Sequence, residues 1–479
     1  MAPARAWLIL VHRYLGIALS LLFLVWFVSG VAMIYARDMP RLTPESRLSH
    51  LPPLELEPIR VTVGQAAERA ERTQRPGRVT LLTIQDRPAY RFSAPPATTV
   101  FADTGEIMPP AGDHESVQIA ARFVGVAPDL VRYIRRLTAA DQWTITQRRQ
   151  LPLHKIAVGD SAGTELYVSE ALGEVVVETT RASRTLAWVA AIPHWLYFTP
   201  LRLKDTLWRQ VILWTSALGM VSVTIGLVLV FTQYRVAYGG LLRWHYLTGA
   251  CFGVLALTWV FSGFLSMEPW NWAASERPGP SIGPVLAGGT MDVSAFPSID
   301  AAAWKQALGG REAKEIDFRW LEGSPWFVVR GSAPEPLLVA PDPLEVRSTP
   351  FDTHELMNRI GAANPDAAFI DSALIDAYDA YYYDRDRSAP LPVLRIRFGD
   401  PDATQAYVDP RLLEVVGRFT RRERIQRWLY HGLHSLDFPF WYYSRAWDVV
   451  MILLLSGGSV LSAIGVAIGW RRLRRMAGR

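Results

Sequence analysis

The stretch HRYLGIALSLLFLVWFVSG, residues 12–30, decides the fold of this chain. It has no charged residue after Arg13, and the uncharged run continues to Ala36. A helix of this length, rising about 1.5 Å per residue, crosses the ~30 Å hydrocarbon core of a bilayer. The stretch therefore predicts a membrane-spanning helix with a histidine at one end.

Three more stretches lack Asp, Glu, Lys and Arg, at residues 211–234, 244–267 and 449–470. A mean hydropathy of +0.11 over the chain conceals them. We predict spans at residues 6–36, 208–234, 241–267 and 448–471. A purely soluble protein is thereby excluded, and aromatic residues at 11% exclude collagen-like and disordered classes.

Arginines without accompanying acids flank one end of every predicted span, whereas the other flanks are mixed, as at Arg37-Asp38. The positive-inside rule then predicts cytoplasmic termini, a cytoplasmic tail at residues 472–479, and two extracytoplasmic domains at residues 37–206 and 268–447. These arginines explain the pI of about 9.3, so we expect a lipid bilayer and no nucleic acid as partner. They are Arg5, Arg13, Arg235, Arg243, Arg471, Arg472, Arg474, Arg475 and Arg479.

The chain repeats itself internally. Residues 245–263 read HYLTGACFGVLALTWVFSG and match the opening stretch at an offset of 233, with histidine, tryptophan and Ser-Gly in equivalent places. A second match at an offset of 240 aligns residues 164–198 with 404–438 at 14 identical positions. The predicted fold is therefore a membrane protein with four transmembrane helices in a pseudo-twofold duplicated bundle, whose axis runs along the membrane normal.

The external segments read as α+β. Apolar β-branched stretches alternate with turn signals such as the one at residues 103–106, and residues 61–74 and 116–136 have helical periodicity. Residues 181–198 and 421–438 are typical of amphipathic helices at the headgroup level, just outside spans two and four.

Four of the nine histidines are related in pairs by the repeat. His12 and His245 begin spans one and three, while His194 and His434 stand on the two interfacial helices. A symmetric repeat brings equivalent residues towards a common axis, so each pair is expected to face inward at one membrane surface. Two imidazoles opposed across a helix bundle are suited to axial ligation of a b-type haem. The sequence predicts two such haems.

Glycines follow these histidines in phase with the helix. Gly16 lies one turn beyond His12, and Gly30 lies five turns beyond it, about 27 Å away. Gly249 and Gly263 repeat both spacings in the third span. Because a macrocycle needs small residues where a helix passes its edge, all four glycines are candidate haem-binding residues. Helix–helix contact is the alternative role.

Because of His431, the sequence does not decide which histidine is the ligand of the outer site. It lies three residues before His434 on the same helical face, and its repeat equivalent is Ala191. It could replace His434 as ligand, orient it, or act near a substrate. The His-x2-His pattern could also bind a metal ion directly.

The chain resembles the PepSY-associated transmembrane family in four places: the His-x3-Gly opening of spans one and three, residues 407–410, the segment Trp428–His434, and the exit at residues 470–472. The resemblance implies two PepSY-like periplasmic α+β domains and a location in the bacterial inner membrane. It also implies two haems b on His12, His194, His245 and His434, and activity as a ferric-siderophore reductase that releases Fe(II).

The predicted cytoplasmic segments are short, so the electron donor is expected to be a separate cytoplasmic reductase or membrane quinol, and the acceptor a ferric siderophore or another periplasmic oxidant. Two other functions stay open. One is a non-enzymatic PepSY sensor or regulator of the envelope, with histidines as pH switches. The other is a transporter built from a duplicated helix bundle.

Overall fold

The computed structural model describes residues 2–36, 38–74, 76–275 and 277–478, so that Arg37 and Arg479 of the predicted topology lie outside the described residues. The α-helices up to Thr232 are α1 (Ala2–Ala36), α2 (Pro44–His50), α3 (Val63–Arg69), α4 (Asp113–Val124), α5 (Arg181–Val189), α6 (Ala191–His194), α7 (Thr199–Arg202) and α8 (Asp205–Thr232). The later ones are α9 (Gly240–Leu265), α10 (Gly283–Ala287), α11 (Ala301–Leu308), α12 (Thr353–Ala363), α13 (Arg421–Arg427), α14 (Leu433–Ser435) and α15 (Arg445–Ala477).

The strands form three antiparallel sheets. In the first half they are β1 (Val79–Ile84), β2 (Arg87–Phe92), β3 (Thr98–Phe101), β4 (Val131–Leu137), β5 (Leu153–Val158), β6 (Glu165–Ser169) and β7 (Glu174–Thr179). In the second half they are β8 (Ala313–Leu321), β9 (Ser324–Gly331), β10 (Leu337–Pro341), β11 (Leu344–Arg347), β12 (Phe369–Ile375), β13 (Val393–Phe398), β14 (Gln405–Asp409) and β15 (Glu414–Phe419). The sequence analysis predicted α+β external segments, and each segment contains β-sheets together with short helices.

One sheet joins the two external segments. Its seven strands run in the order β11-β10-β9-β8-β1-β2-β3, so a meander from each segment meets the other at the β1–β8 pair. There Val79 lies opposite Phe318 and Leu81 opposite Ile316. Apolar residues from both segments bury against this sheet, including Tyr90 and Phe327. The two segments therefore share one core.

The element order of the second half repeats that of the first. In each half a long helix precedes a short helix, a meander, another helix, a four-stranded sheet and a second long helix. Strands β5 to β7 begin at residues 153, 165 and 174, and β13 to β15 begin at 393, 405 and 414. Both four-stranded sheets have a register irregularity at the same place, between Tyr167 and Val168 in one and between Tyr407 and Val408 in the other.

Among the residues that the structure describes, four helices, α1, α8, α9 and α15, are long and apolar enough to cross a membrane. The four helices coincide with the four predicted spans and fit a membrane protein. Helix α1 packs against α8 and α15, and α9 packs against the same two helices. The two histidine-bearing spans, α1 and α9, therefore lie diagonally across the bundle.

The predicted helix over residues 116–136 is wrong in its second part. Helix α4 ends at Val124, because Gly125 adopts a left-handed conformation with φ of 70° and closes the helix. Residues 131–137 instead form strand β4, which pairs with β5. The helical periodicity of the sequence after Gly125 therefore does not correspond to a helix.

The predicted interfacial helices are broken into shorter pieces. Thr180 and Thr420 each cap the first piece with a side-chain hydrogen bond to the backbone three residues on. Helix α5 is interrupted at Ala190, whereas α13 continues into a π-helical turn over Trp428–Gly432. The pieces that follow, α6 and α14, pack against α1 and α9 respectively. The interruptions thus bring the ends of both segments onto the bundle.

Candidate functional site

The outer candidate site is built on His194 of α6 and His434 of α14. Their ring centres lie 6.0 Å apart, with the ring planes inclined by 68°. Both side chains are half-buried, and both line one cavity. Each half of the chain therefore contributes one imidazole to the same place.

Two serines fix the protonation of these rings. Ser29 Oγ donates a hydrogen bond to the carbonyl of Trp26 at 3.1 Å and lies 3.1 Å from Nδ1 of His194. Because the hydroxyl has one hydrogen, Ser29 can only accept from the ring, so Nδ1 carries the proton. Ser262 repeats the arrangement, donating to the Trp259 carbonyl and lying 3.0 Å from Nδ1 of His434. In both neutral rings Nε2 keeps its lone pair.

Burial keeps both outer rings neutral. It lowers the pKa of His194 to about 4 and that of His434 to about 3, and for His434 the neighbouring His194 lowers it further. A histidine must be neutral to bind a metal through nitrogen. The site therefore presents two unprotonated Nε2 atoms throughout the physiological pH range.

The cavity at the outer pair has a volume of ≈ 860 Å³. Both outer glycines, Gly30 and Gly263, line it. A Cβ at Gly30 would lie 3.2 Å from the Leu455 side chain and 3.5 Å from the His194 ring, so a larger residue there would require the Leu455 side chain to shift. Cavities of roughly 300–1,000 Å³ hold cofactors and drug-sized ligands.

His431 lies outside the outer pair. Its ring packs on Tyr430 with centres 4.7 Å apart, and it lines the cavity as an exposed residue. The ring opposite His194 is that of His434. From this position His431 can contact a molecule that enters the cavity. It is less well placed to act as a metal ligand opposite His194.

The inner candidate site is formed by His12 and His245, whose ring centres lie 6.2 Å apart. Nδ1 of His12 lies 2.9 Å from the carbonyl of Ser222; since a carbonyl can only accept, Nδ1 donates and Nε2 is free. His245 lies towards the carbonyl of Leu461, although its Nδ1 makes no hydrogen bond of normal length and angle. Ser222 and Leu461 occupy matching places in α8 and α15.

The two glycines predicted at the inner pair, Gly16 and Gly249, do not contact its rings. A Cβ at Gly16 would meet nothing within 4 Å, and one at Gly249 would lie 3.9 Å from Leu461. Two further glycines, which the sequence analysis missed, pack on the histidine rings: a Cβ at Gly226 would lie 2.8 Å from His12 Cε1, and one at Gly465 4.0 Å from His245 Cε1. They stand 239 residues apart, so aligning spans two and four would have found them.

The ring separations fit a haem. A metal–imidazole bond is about 2 Å long and the ring centre lies about 1 Å behind the bonding nitrogen, so two axial imidazoles on one iron have centres about 6 Å apart. Both pairs match this separation, and the outer pair opens on a cavity of suitable size. Within the described residues, no group of three or more His, Cys, Asp or Glu side chains is arranged to hold a metal ion, so neither pair has a third ligand.

The two tryptophans of the repeat adjoin the outer pair. The indole N–H of Trp259 donates to the His434 carbonyl at 2.8 Å, and the carbonyl of Trp26 lies 3.2 Å from His194 Nδ1. Trp26 and His12 are fourteen residues apart on α1, which places the two candidate sites about 21 Å apart along the helix.

No family model matches this chain, and no curated protein matches it either. Its function is therefore inferred from the site.

Proposed function

We propose that the chain transfers electrons across a membrane through two b-type haems, held by His12 and His245 at one surface and by His194 and His434 at the other. The observation that carries the proposal is the pair of opposed imidazoles at each end of one four-helix bundle, with Nε2 left free by hydrogen bonds to Nδ1 in three of the four rings. Bound there, haem would supply a one-electron carrier at each membrane surface.

The protein's own residues orient the imidazole rings and enclose the two sites. The serine hydroxyls and backbone carbonyls hold three of the four rings, those of His12, His194 and His434, in one tautomer and one orientation. Phe27, Trp259 and Trp447 pack together at the outer end of the bundle and form part of the apolar wall of the outer cavity. The separation of about 21 Å along α1 divides a ~30 Å hydrocarbon layer into shorter electron-transfer distances.

The proposal extends to topology and partners. We infer from the arginine flanks that both termini are cytoplasmic, in the bacterial inner membrane, with the sheets on the periplasmic side. The donor is then a cytoplasmic reductase or quinol, and the acceptor a periplasmic ferric chelate such as a siderophore, which releases Fe(II) on reduction. The protein would thus be a haem-dependent oxidoreductase of the ferric-chelate reductase type.

The repeated element order supports the proposed duplication and PepSY-like domains. Each half carries a helix followed by a meander and then a helix followed by a four-stranded sheet, with the matching irregularities described above. In a duplicated chain the two members of each pair are the same residue used twice, which accounts for their meeting on one axis.

A reduced-minus-oxidised visible spectrum with haem stoichiometry tests the proposal. We expect two haems per chain. His12→Ala or His245→Ala should remove one, and His194→Ala or His434→Ala the other.

The matched control is His431→Ala, which should keep both haems because its ring is not in the outer pair. A purified protein without a Soret band, or loss of both haems from every single variant, would contradict the proposal.

A further inference from the structure

A second and larger cavity lies beside the outer one. It is a cleft of ≈ 1220 Å³ in the second external segment, between strands β10–β11, the edge of β14–β15 and the segment from Tyr378 to Leu391. We call it the arginine cleft, because four arginines line it: Arg311, Arg347, Arg387 and Arg411.

Within the part of the chain that the structure describes, three of these arginines form no ion pair with a carboxylate. Arg411 faces Asp409 and Glu335, each at 3.4 Å, so its charge is compensated. Among the described residues, no Asp or Glu lies within 4.0 Å of the guanidinium groups of the other three. Arg347 instead donates to the Thr349 carbonyl at 2.8 Å. The cleft lining thus carries four arginines against three carboxylates, Glu335, Asp409 and Glu414, so its net charge is positive and three of its guanidinium groups are free of ion pairs with the described residues.

Two neighbouring tyrosines separate the arginine cleft from the outer cavity. Tyr442 lines the outer cavity and Tyr443 lines the cleft, with ring centres 5.6 Å apart. On the cavity side Tyr442 packs on Trp447 at 5.6 Å, and on the cleft side Tyr443 stacks on Tyr378 at 6.4 Å. A continuous set of packed rings therefore connects the wall of the outer site to the cleft.

The loop at residues 383–391 contributes residues to the walls of both cavities. Residues 383–386 line the outer cavity and residues 387–391 line the cleft. The Arg385 guanidinium lies 4.0 Å from the centre of the Trp447 ring, and that of Arg387 lies 5.0 Å from the Tyr443 ring. One loop thus places a cation at each end of the ring contact.

We infer that the arginine cleft is the docking site for the external electron acceptor, and that this acceptor is a multiply anionic ferric chelate whose carboxylate or phenolate oxygens bind the guanidinium groups. Guanidinium binds carboxylates through paired hydrogen bonds, and tyrosine faces suit the apolar parts of a chelator. The inference rests on the proposed function for the source of the electrons. The binding of the chelate depends only on the residues of the cleft.

The electron balance is simple. One electron converts one Fe(III) to Fe(II) within the chelate, and no covalent bond to the protein forms or breaks. A quinol donor would lose two electrons and two protons and so reduce two chelates. The packed rings provide a medium for tunnelling and are not themselves oxidised.

The test measures binding apart from electron transfer. Gallium(III) citrate has the charge and shape of ferric citrate but is not reduced, so its Kd can be measured by titration calorimetry on the full-length protein. We expect binding that weakens as salt rises. The triple variant Arg311→Gln/Arg347→Gln/Arg387→Gln should weaken it at least tenfold, whereas Arg132→Gln, on an exposed part of β4, should leave it unchanged.

Reoxidation of the reduced protein by ferric citrate completes the experiment. In the triple variant the concentration for half-maximal rate should rise by a similar factor while the maximal rate stays within twofold. Equal gallium citrate binding by the wild type and the triple variant would overturn the inference and leave the proposed function standing. If the purified protein contains no haem but binds gallium citrate through the three arginines, the proposed function is overturned and the inference about the cleft stands.

Discussion

At the residue scale, two serine hydroxyls decide which nitrogen of each outer histidine is available. Ser29 and Ser262 are equivalent residues on α1 and α9, and each accepts a hydrogen bond from an Nδ1–H while donating to a carbonyl of its own helix. Groups that orient a ligating histidine are worth about 10–100-fold in metal affinity.

The variant Ser29→Ala should therefore lower the affinity of the outer site for haem about tenfold. The loss is not larger because the Trp26 carbonyl, 3.2 Å from His194 Nδ1, can still accept a hydrogen bond from Nδ1–H. Haem retention during dilution, followed by the Soret band, measures this. Ser459→Ala is the control, since that hydroxyl bonds only the Leu455 carbonyl of its own helix; an equal loss there would show a general effect on the bundle.

The sequence alone does not decide whether His431 or His434 is the ligand of the outer site. The two residues lie three positions apart and share a helical face, so periodicity alone could not separate them. Their different surroundings depend on the π-helical turn over Trp428–Gly432, which widens the backbone between Arg427 and Leu433. Such a turn has no reliable signature in the sequence.

At the scale of elements, close approach of helices determines the inner site. Helix α8 passes the His12 ring at Gly226, where a Cβ would come within 2.8 Å of the imidazole. A contact this short cannot be accepted without movement of the ring. The sequence predicted the spans and their histidines from hydropathy and repetition, but which residue of a neighbouring helix touches each ring depends on packing.

The variant Gly226→Ala should accordingly displace the His12 ring and remove the inner haem, while the outer haem remains. Haem stoichiometry falling from two to one, with the outer spectrum unchanged, is the expected result. Gly239→Ala is the matched control, because nothing lies within 4 Å of its Cβ position. Retention of both haems by Gly226→Ala would show that the inner ring is not held by this helix.

At the scale of the whole molecule, ion pairs reinforce the joint between the two halves. Arg47, just after the first span, lies 3.1 Å from Glu174 of β7 and 2.7 Å from Glu315 of β8. Arg91 lies 2.6 Å from Glu174 on its other side. The sequence predicted two separate external domains; the shared sheet and the Arg47–Glu315 ion pair join residues more than 200 positions apart, which local patterns do not encode.

The ion pairs predict how stability depends on pH. Burial raises the pKa of the Glu174 carboxyl, but the charges of Arg91 and Arg47 outweigh it, so the pKa lies below its ordinary value. A carboxyl with a lowered pKa stabilises the folded state above its unfolded pKa, and this stability is lost as the pH falls through the folded pKa. The unfolding temperature should thus be steady down to about pH 4 and fall below it.

The variant Glu174→Gln should lower the free energy of unfolding at pH 7 by about 3–5 kcal/mol, since it leaves buried arginine charge uncompensated. Its unfolding temperature should also change less between pH 5 and pH 3 than that of the wild type. Tryptophan fluorescence during heating in detergent measures both. Glu345→Gln, an exposed residue on β11, serves as the comparison, and an equal effect there would refute the role of the ion pairs.

The pairing of β1 with β8 has a consequence for biosynthesis. After β1 leaves the ribosome, 228 residues, 85 to 312, must be made before β8 begins. At about 5–20 residues per second this takes roughly 10–50 s. During that time the β1 edge has no neighbour, and an open strand edge readily pairs with another chain. The growing chain is therefore exposed to misassembly until β8 follows the third span, and a chaperone on the side of the sheets would protect it during this period.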